Sequence, residues 1–144
     1  MDKIRKFIIS DTPRKTMPSL LLLIARISFG LLFLSHGVAK WMAIEELSFT
    51  FPDPLGVGVT LSLSLVIFAE VFCSIGVILG ALYRLCLIPM IFTMCIAFFV
   101  IHRSDAFAAK ELALIYLIIF VLLFIAGPGR FSVDAMINRK IKNI

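Results

Sequence analysis

Four long apolar stretches follow one another in this chain with only short segments between them. They span residues 18–42, 57–82, 85–101 and 109–126. A helix needs about 20 apolar residues to cross a hydrocarbon core of about 30 Å, so each stretch is within the usual range or close to it. The connecting segments are too short to cover four apolar helices with polar chain. The pattern therefore predicts four transmembrane helices.

Composition excludes the other broad classes. Hydrophobic residues make up 61% and charged residues 16% of the chain, whereas soluble domains have about 45–50% and about 25%. Three scattered cysteines without a CxxC pair predict neither a disulfide framework nor a zinc site. Phosphate-loop, Rossmann, GxSxG and HExxH motifs are also missing from the sequence. We therefore expect no metal ion and assign no catalytic residue.

Basic residues near the helix ends predict the orientation. Of the 14 Lys and Arg residues, ten lie before the first helix, in the turn between helices two and three, or in the tail. The opposite side carries Lys40, Arg103 and Lys110. The positive-inside rule then places both termini in the cytoplasm. The net charge of +5 is a topology signal, and the basic stretches lack the interleaved aromatics that bind nucleic acids.

Both ends of the chain have amphipathic patterns. Near the N-terminus, Ile4, Phe7 and Ile8 share one side of a short turn beside basic residues. After the Gly-Pro-Gly stop at 127–129, Ser132 can cap a helix over residues 132–143 whose apolar stripe lies beside basic residues. We therefore predict an all-α, membrane-embedded four-helix bundle with amphipathic N- and C-terminal segments, forming one domain over residues 1–144.

Two charged residues fall inside the predicted hydrocarbon region, where an unpaired charge costs about 2.5 kcal/mol or more. Arg26 lies toward the cytoplasmic side of the first helix, and Glu70 lies near the middle of the second. Because a guanidinium suits a carboxylate, we expect an Arg26–Glu70 pair. In the alternative, Arg26 reaches the membrane interface and Glu70 is protonated.

Glycines accompany the polar residues of the first helix. Arg26, Phe33 and Lys40 repeat every seven residues, with Gly30 and Gly37 on the same side. This stripe predicts close approach of a neighbouring helix. The GVILG sequence at 76–80 matches a GxxxG motif, which favours packing within the chain over dimerisation.

A second polar group gathers toward the outer end of the predicted bundle. It comprises His36, Lys40, His102 and Glu111. These residues predict a pocket open to the outside that handles protons or binds a ligand. In the alternative, they are interfacial charges solvated by headgroups. Together with Arg26 and Glu70, they form the predicted ligand-binding set.

Redox centres have weaker support in the residues. His36 and His102 lie near one end and outside any haem-attachment motif, which disfavours a haem. Cys73 and Cys95 fall at similar depths on adjacent helices, so a thiol pair is an open alternative to their role as small apolar residues.

Four segments in register resemble the DoxX family of small bacterial membrane proteins. They are ARISFGLLFLSHGVAKW at 25–41, AEVFCSIGVILGALYR at 69–84, KELALIYL at 110–117 and GPGRFSVD at 127–134. The resemblance implies a four-helix bundle in the bacterial inner membrane with polar residues inside. Arg26, Lys40, Glu70, Arg84, Glu111 and Arg130 match recurrent polar positions of the family.

Some members of that family belong to membrane redox complexes, so the resemblance implies an auxiliary subunit beside a redox partner protein. It adds a quinone, or a similar small amphiphile, as the candidate ligand. Two alternatives stay open at this point: a small-solute or proton-coupled transporter that works as a homo-oligomer, and a self-contained membrane oxidoreductase. Function resides in sites rather than folds, so the choice depends on the geometry of the polar residues.

Overall fold

The computed structural model describes residues 16–142, and all of the regular elements in that range are helices. In chain order they are α1 (Thr16–Met42), α2 (Ile44–Thr50), α3 (Val59–Leu79), α4 (Tyr83–Ile101), α5 (Phe107–Ala126) and α6 (Val133–Lys142). The helices α1, α3, α4 and α5 are long and apolar enough to cross a membrane. The predicted amphipathic segment near Ile4 lies outside the described residues.

The four predicted helices are confirmed as long and apolar enough to span a membrane, with ends that differ from the expected ones by three residues at most. The helix expected over residues 132–143 corresponds to α6. The short helix α2, which follows α1 almost directly, was not predicted. Neither were two π-helical segments, Phe68–Cys73 inside α3 and Ala97–Ile101 at the end of α4. Such wide turns occur frequently at functional sites.

Helices α1 and α3 pack closely because glycines line their contact. A Cβ atom on Gly30 would collide with Ile78, and one on Gly37 would lie 2.6 Å from Cβ of Glu70. Phe33, between the two glycines, is buried. The predicted stripe on α1 therefore is a helix-packing face, and its antiparallel register sets residue 37 against residue 70.

The GVILG sequence at 76–80 lies at the turn between α3 and α4, and its two glycines make contacts within the chain. Gly76 leaves room for the sulfur of Cys86 on α4. Gly80 ends α3 with φ 68°, a left-handed conformation that suits glycine, and its N–H bonds back to the carbonyl oxygens of Gly76 and Val77. Both glycines thus serve contacts between helices of one chain.

The two ends of the bundle are packed differently. The terminal end, as we call it, contains the start of α1, the α3–α4 turn and α6; the loop end contains α2 and the connection from α4 to α5. The main apolar core, which includes Val77, Tyr83, Leu87 and Phe120, fills the half toward the terminal end. The half toward the loop end contains a cavity.

Candidate functional site

The cavity has a volume of about 580 Å³ and lies among α1, α3, α4 and α5. Its walls are mostly apolar, with Leu65 and Val66 from α3 and Phe92 from α4. Phe33, Met94 and Tyr116, which belong to the core, also line it, so the core is continuous with the cavity wall. A volume in this range suits a small organic molecule.

A part-buried ion pair faces this cavity. Nζ of Lys40 donates a hydrogen bond to Oε2 of Glu70 across 2.6 Å. The Glu70 side chain is only 5% exposed and the Lys40 side chain 27%, and both residues line the cavity. The pair places a donor and an acceptor against an apolar chamber, where hydrogen bonds are stronger than in water.

Local backbone geometry brings the pair together. Glu70 lies in the π-helical segment Phe68–Cys73 of α3, and the adjacent Gly37 of α1 lets the two backbones approach. Lys40 follows Gly37 by about one turn of α1, so its long side chain reaches Glu70 along the groove between the helices. The predicted Arg26–Glu70 pair is therefore wrong: Glu70 pairs with Lys40.

Arg26 instead lies at the terminal end, 1% exposed. Its Nη2 donates to the carbonyl oxygens of Phe131 (2.8 Å) and Ile78 (3.4 Å), and its Nη1 donates to that of Pro128. The register of α1 and α3 explains this position, because moving from Gly37 back to Arg26 leads away from Glu70 toward Gly80. Backbone carbonyls of helix ends and of the Gly-Pro-Gly turn replace the expected carboxylate.

Asp134 completes the terminal end in a role that the sequence did not indicate. Its carboxylate accepts hydrogen bonds from the backbone N–H groups of Leu82 and Tyr83 at the start of α4, both at 3.0 Å. Its own N–H donates to the carbonyl oxygen of Gly80. Asp134 therefore ties α6 to the α3–α4 turn, and we call Arg26 and Asp134 with their backbone partners the terminal latch. The predicted cap by Ser132 is present, because its Oγ accepts from the N–H of Ala135.

The histidines of the predicted set also line the cavity. The ring of His36 meets that of Tyr116 edge-on, with centroids 5.9 Å apart. His102, at the end of α4, contacts Asp105 through Nδ1, 2.7 Å from Oδ2. Of the six predicted residues, four line the cavity (His36, Lys40, Glu70 and His102). The other two do not: Arg26 belongs to the terminal latch, and Glu111 is exposed on α5.

The segment between α2 and α3 lies across the loop end of the cavity. We call Phe51, Pro52, Pro54 and Leu55 the roof, since all four line the cavity there. Asp53 stands between Pro52 and Pro54 of the roof. It accepts hydrogen bonds from the Ser62 hydroxyl (2.7 Å) and from the N–H groups of Val57 (3.1 Å) and Gly58 (2.8 Å). The Ser62 hydroxyl, followed by these N–H groups, holds the pKa of Asp53 below its usual value.

Several cavity residues were not among the predicted site residues because apolar side chains carry no chemical signal of their own. Pro89 is an example: it stands inside α4 and lines the cavity. A proline in the middle of an apolar stretch removes a backbone hydrogen bond, and that is a signal the sequence does contain.

Within residues 16–142, no group of three His, Cys, Asp or Glu side chains is placed to hold a metal ion. Cys73 has Cys86 of α4 as a neighbour, and the thiol pair of Cys73 and Cys95 stays an untested alternative. All three thiols are free.

These features define a class: a multi-pass helical membrane protein with an apolar chamber and a part-buried ion pair between its helices. A sequence model of the DoxX family matches residues 21–103, which is more than half of the chain. The chain therefore belongs to the DoxX family. The matched region contains most of α1 and all of α2, α3 and α4, with Lys40 and Glu70. Comparisons with curated proteins and with solved structures found no match.

Proposed function

We propose that this protein binds the polar head of a small amphiphile, with a quinone as the candidate, in the cavity beside Lys40 and Glu70. The observation that carries the proposal is the part-buried Lys40–Glu70 pair facing an apolar chamber of about 580 Å³. A ligand site of this kind needs an apolar pocket with a few convergent polar groups. Lys40 would donate to a carbonyl oxygen of the head and Glu70 would accept from a hydroxyl, while Tyr116 packs against its ring.

A binding role is better supported than conduction. Most of the residues that line the cavity belong to the middle of the bundle or to the half toward the loop end. The other half is filled by Val77, Tyr83, Leu87 and Phe120, each 0% exposed, and is closed by the terminal latch. A chamber with one closed end holds a ligand, whereas a transport pathway would need access through both halves.

The family membership and the cavity together support the wider role that we infer, an auxiliary subunit of a membrane redox system. In that role the protein would hold the quinone for a redox partner protein. We further propose a bacterial inner membrane as its location, with both termini in the cytoplasm, on the basis of the basic residues at the terminal end. The apolar side chains of Met136, Ile137 and Ile141 on α6 are exposed beside Arg139 and Lys140, which supports a position along the membrane surface.

The test of binding uses the full-length protein in mild detergent with decylubiquinone as the probe. Native mass spectrometry and an absorbance scan first show whether a quinone or other small molecule purifies with the protein. A titration of decylubiquinone then compares the wild type with the double variant Lys40→Met/Glu70→Gln, which leaves no lone buried charge. We expect an affinity loss of about tenfold or more in the variant, since hydrogen bonds to charged groups are lost.

The matched control is Lys110→Met, which removes a positive charge at the loop end from a residue that does not line the cavity. It should bind decylubiquinone like the wild type. Equal affinity of the double variant and the wild type would overturn the role of the ion pair. A haem or flavin spectrum in the purified protein would instead favour a self-contained oxidoreductase.

A further inference from the structure

The cavity reaches the lipid-facing surface of the bundle. Leu65 and Phe68 on α3 and Phe92 on α4 all line the cavity. They are also 48%, 49% and 53% exposed, respectively. Each of these three side chains therefore borders both the chamber and the outer surface of the bundle, as Leu112 on α5 also does. Because these residues lie within spanning helices, the opening faces hydrocarbon.

Helix packing accounts for this opening. The part of α3 nearest the loop end, Val59–Ile67, packs on α1 and α2, and the corresponding part of α4, Ala97–Ile101, packs on α5. The two helices pack together from the middle of the bundle to the α3–α4 turn, where the π-helical segment and the last part of α3, Ser74–Leu79, contact α4. They diverge toward the loop end, where Ala97 and Ile101 of the π-helical end of α4 line the cavity. We call the gap bounded by Leu65, Phe68 and Phe92 the side opening.

At the loop end, by contrast, the roof lies between the cavity and the aqueous side of the membrane. The roof is made of Phe51, Pro52, Pro54 and Leu55 and lies across the loop end of the cavity. Phe51 also packs with Leu47 against the buried cluster of Leu63, Ile67 and Val71. Asp53 fastens the roof to the start of α3 through Ser62, Val57 and Gly58. An apolar cover held by a hydrogen-bonded loop impedes a polar solute and leaves the membrane side as the easier entrance.

We propose that the ligand enters sideways from the bilayer between α3 and α4, and that it is a lipid-soluble amphiphile whose hydrocarbon tail stays in the side opening. This inference rests on the proposed function and adds the entrance and the chemical class of the ligand. The head lies by Lys40 and Glu70, and the tail passes Phe68 and Phe92 into the lipid. A water-soluble compound without a tail is a poor ligand, because it gains nothing from the apolar opening.

The entrance is tested without knowing the ligand by labelling a cysteine inside the cavity. Thr93, which lines the cavity on α4, is replaced in the variant Thr93→Cys, and the full chain is placed in nanodiscs so that both membrane faces are accessible. Two thiol reagents are compared: N-octylmaleimide, which dissolves in lipid, and a sulfonated maleimide, which stays in water. Peptide mapping reads position 93 separately from the native cysteines.

We expect N-octylmaleimide to label position 93 at least about tenfold faster than the sulfonated reagent, because an ionised group is costly to bring into an apolar chamber. Adding Leu65→Trp should narrow the side opening and slow labelling by N-octylmaleimide several-fold. The matched control is Leu61→Trp, on the same helix and 50% exposed but not lining the cavity, and it should leave the rate unchanged. Asp53→Ala should loosen the roof and raise the rate of the sulfonated reagent.

Two results would overturn the side entrance. One is labelling by the sulfonated reagent as fast as by N-octylmaleimide under an intact roof. The other is slowing by Leu112→Trp, at the exposed part of the cavity wall on α5, with none by Leu65→Trp. Labelling does not depend on the ion pair, so failure of the entrance is distinguishable from failure of the binding site. If Lys40→Met/Glu70→Gln binds decylubiquinone like the wild type while Leu65→Trp still slows labelling, the binding role of the ion pair is wrong. The side opening is then still supported.

Discussion

The two ends of this bundle each hold a basic side chain of α1 between helices, and they use it differently. At the terminal end, Arg26 donates to backbone carbonyls that the fold itself supplies, and Asp134 accepts from backbone N–H groups. At the loop end, Lys40 and Glu70 pair with each other beside an unfilled chamber. Polar side chains whose hydrogen-bond partners are backbone groups stabilise the fold itself. A side-chain pair beside a cavity, by contrast, can exchange its hydrogen bonds for bonds to a ligand.

The largest stability loss should follow from removing the guanidinium of the terminal latch. Arg26→Met leaves the carbonyl oxygens of Pro128 and Phe131 without their donor in a buried site, at a cost of about 3 kcal/mol or more. Thermal unfolding in detergent should show a clearly lower Tm. Arg103→Met, which changes an exposed arginine at the loop end, serves as control. If Arg26→Met and the wild type have the same Tm, the hydrogen bonds of Arg26 do not contribute to the stability of the fold.

A smaller loss should follow from breaking the ion pair. Glu70→Gln leaves Lys40 without its carboxylate, but Lys40 is 27% exposed and borders the cavity, so we expect about 2 kcal/mol rather than the full cost of a lone buried charge. The double variant Lys40→Met/Glu70→Gln should recover part of the lost Tm. If the double variant is less stable than Glu70→Gln alone, the two side chains do not act as a pair.

Asp134→Ala should cost about 1–2 kcal/mol, because two N–H groups at the start of α4 lose a helix-capping acceptor. Asp134→Asn retains one acceptor oxygen and should lie between the alanine variant and the wild type. Chemical unfolding monitored by circular dichroism measures both. A neutral result for Asp134→Ala would mean that α6 is held by its other contacts and that the carboxylate is dispensable.

The smallest effect concerns the roof and depends on pH. Because the pKa of Asp53 is lowered in the folded protein, its hydrogen bonds stabilise the roof at neutral pH. That contribution begins to fall below the ordinary aspartate value of about 3.9 and is lost as the pH passes through the lowered folded value. The Tm difference between the wild type and Asp53→Asn should therefore shrink on acidification from pH 7 to pH 3. A difference independent of pH would show that the carboxylate charge is not involved.

The positions of the helices were predictable, whereas the partners of the polar residues were not. Apolar length alone locates α1, α3, α4 and α5, since a bilayer requires each span to be long and apolar. The positions of Arg26 and Glu70 along their helices suggest a pair, but whether they meet depends on the register between α1 and α3. The observed register, with Gly37 against Glu70, brings Lys40 to the carboxylate instead.

The cavity was predictable only in part. His36, Lys40, Glu70 and His102 stood out because polar residues are costly near or within hydrocarbon. Leu65, Phe68 and Phe92 are ordinary in a spanning helix, and nothing in their spacing says that they border an opening. The role of Asp134 was hidden for a similar reason, since its partners are backbone N–H groups on another helix.

The sequence by itself determined that this is an all-helical protein of four spans, with glycines on the packing face of α1 and costly polar residues inside. These properties follow from local composition, because the bilayer selects apolar helices and small residues permit close packing. Only the tertiary structure decided that Arg26 belongs to a latch and Lys40 to an ion pair. It also decided that α3 and α4 diverge beside that pair. Those outcomes depend on register and on the widened turn at Glu70, and both are set by how whole helices pack against one another.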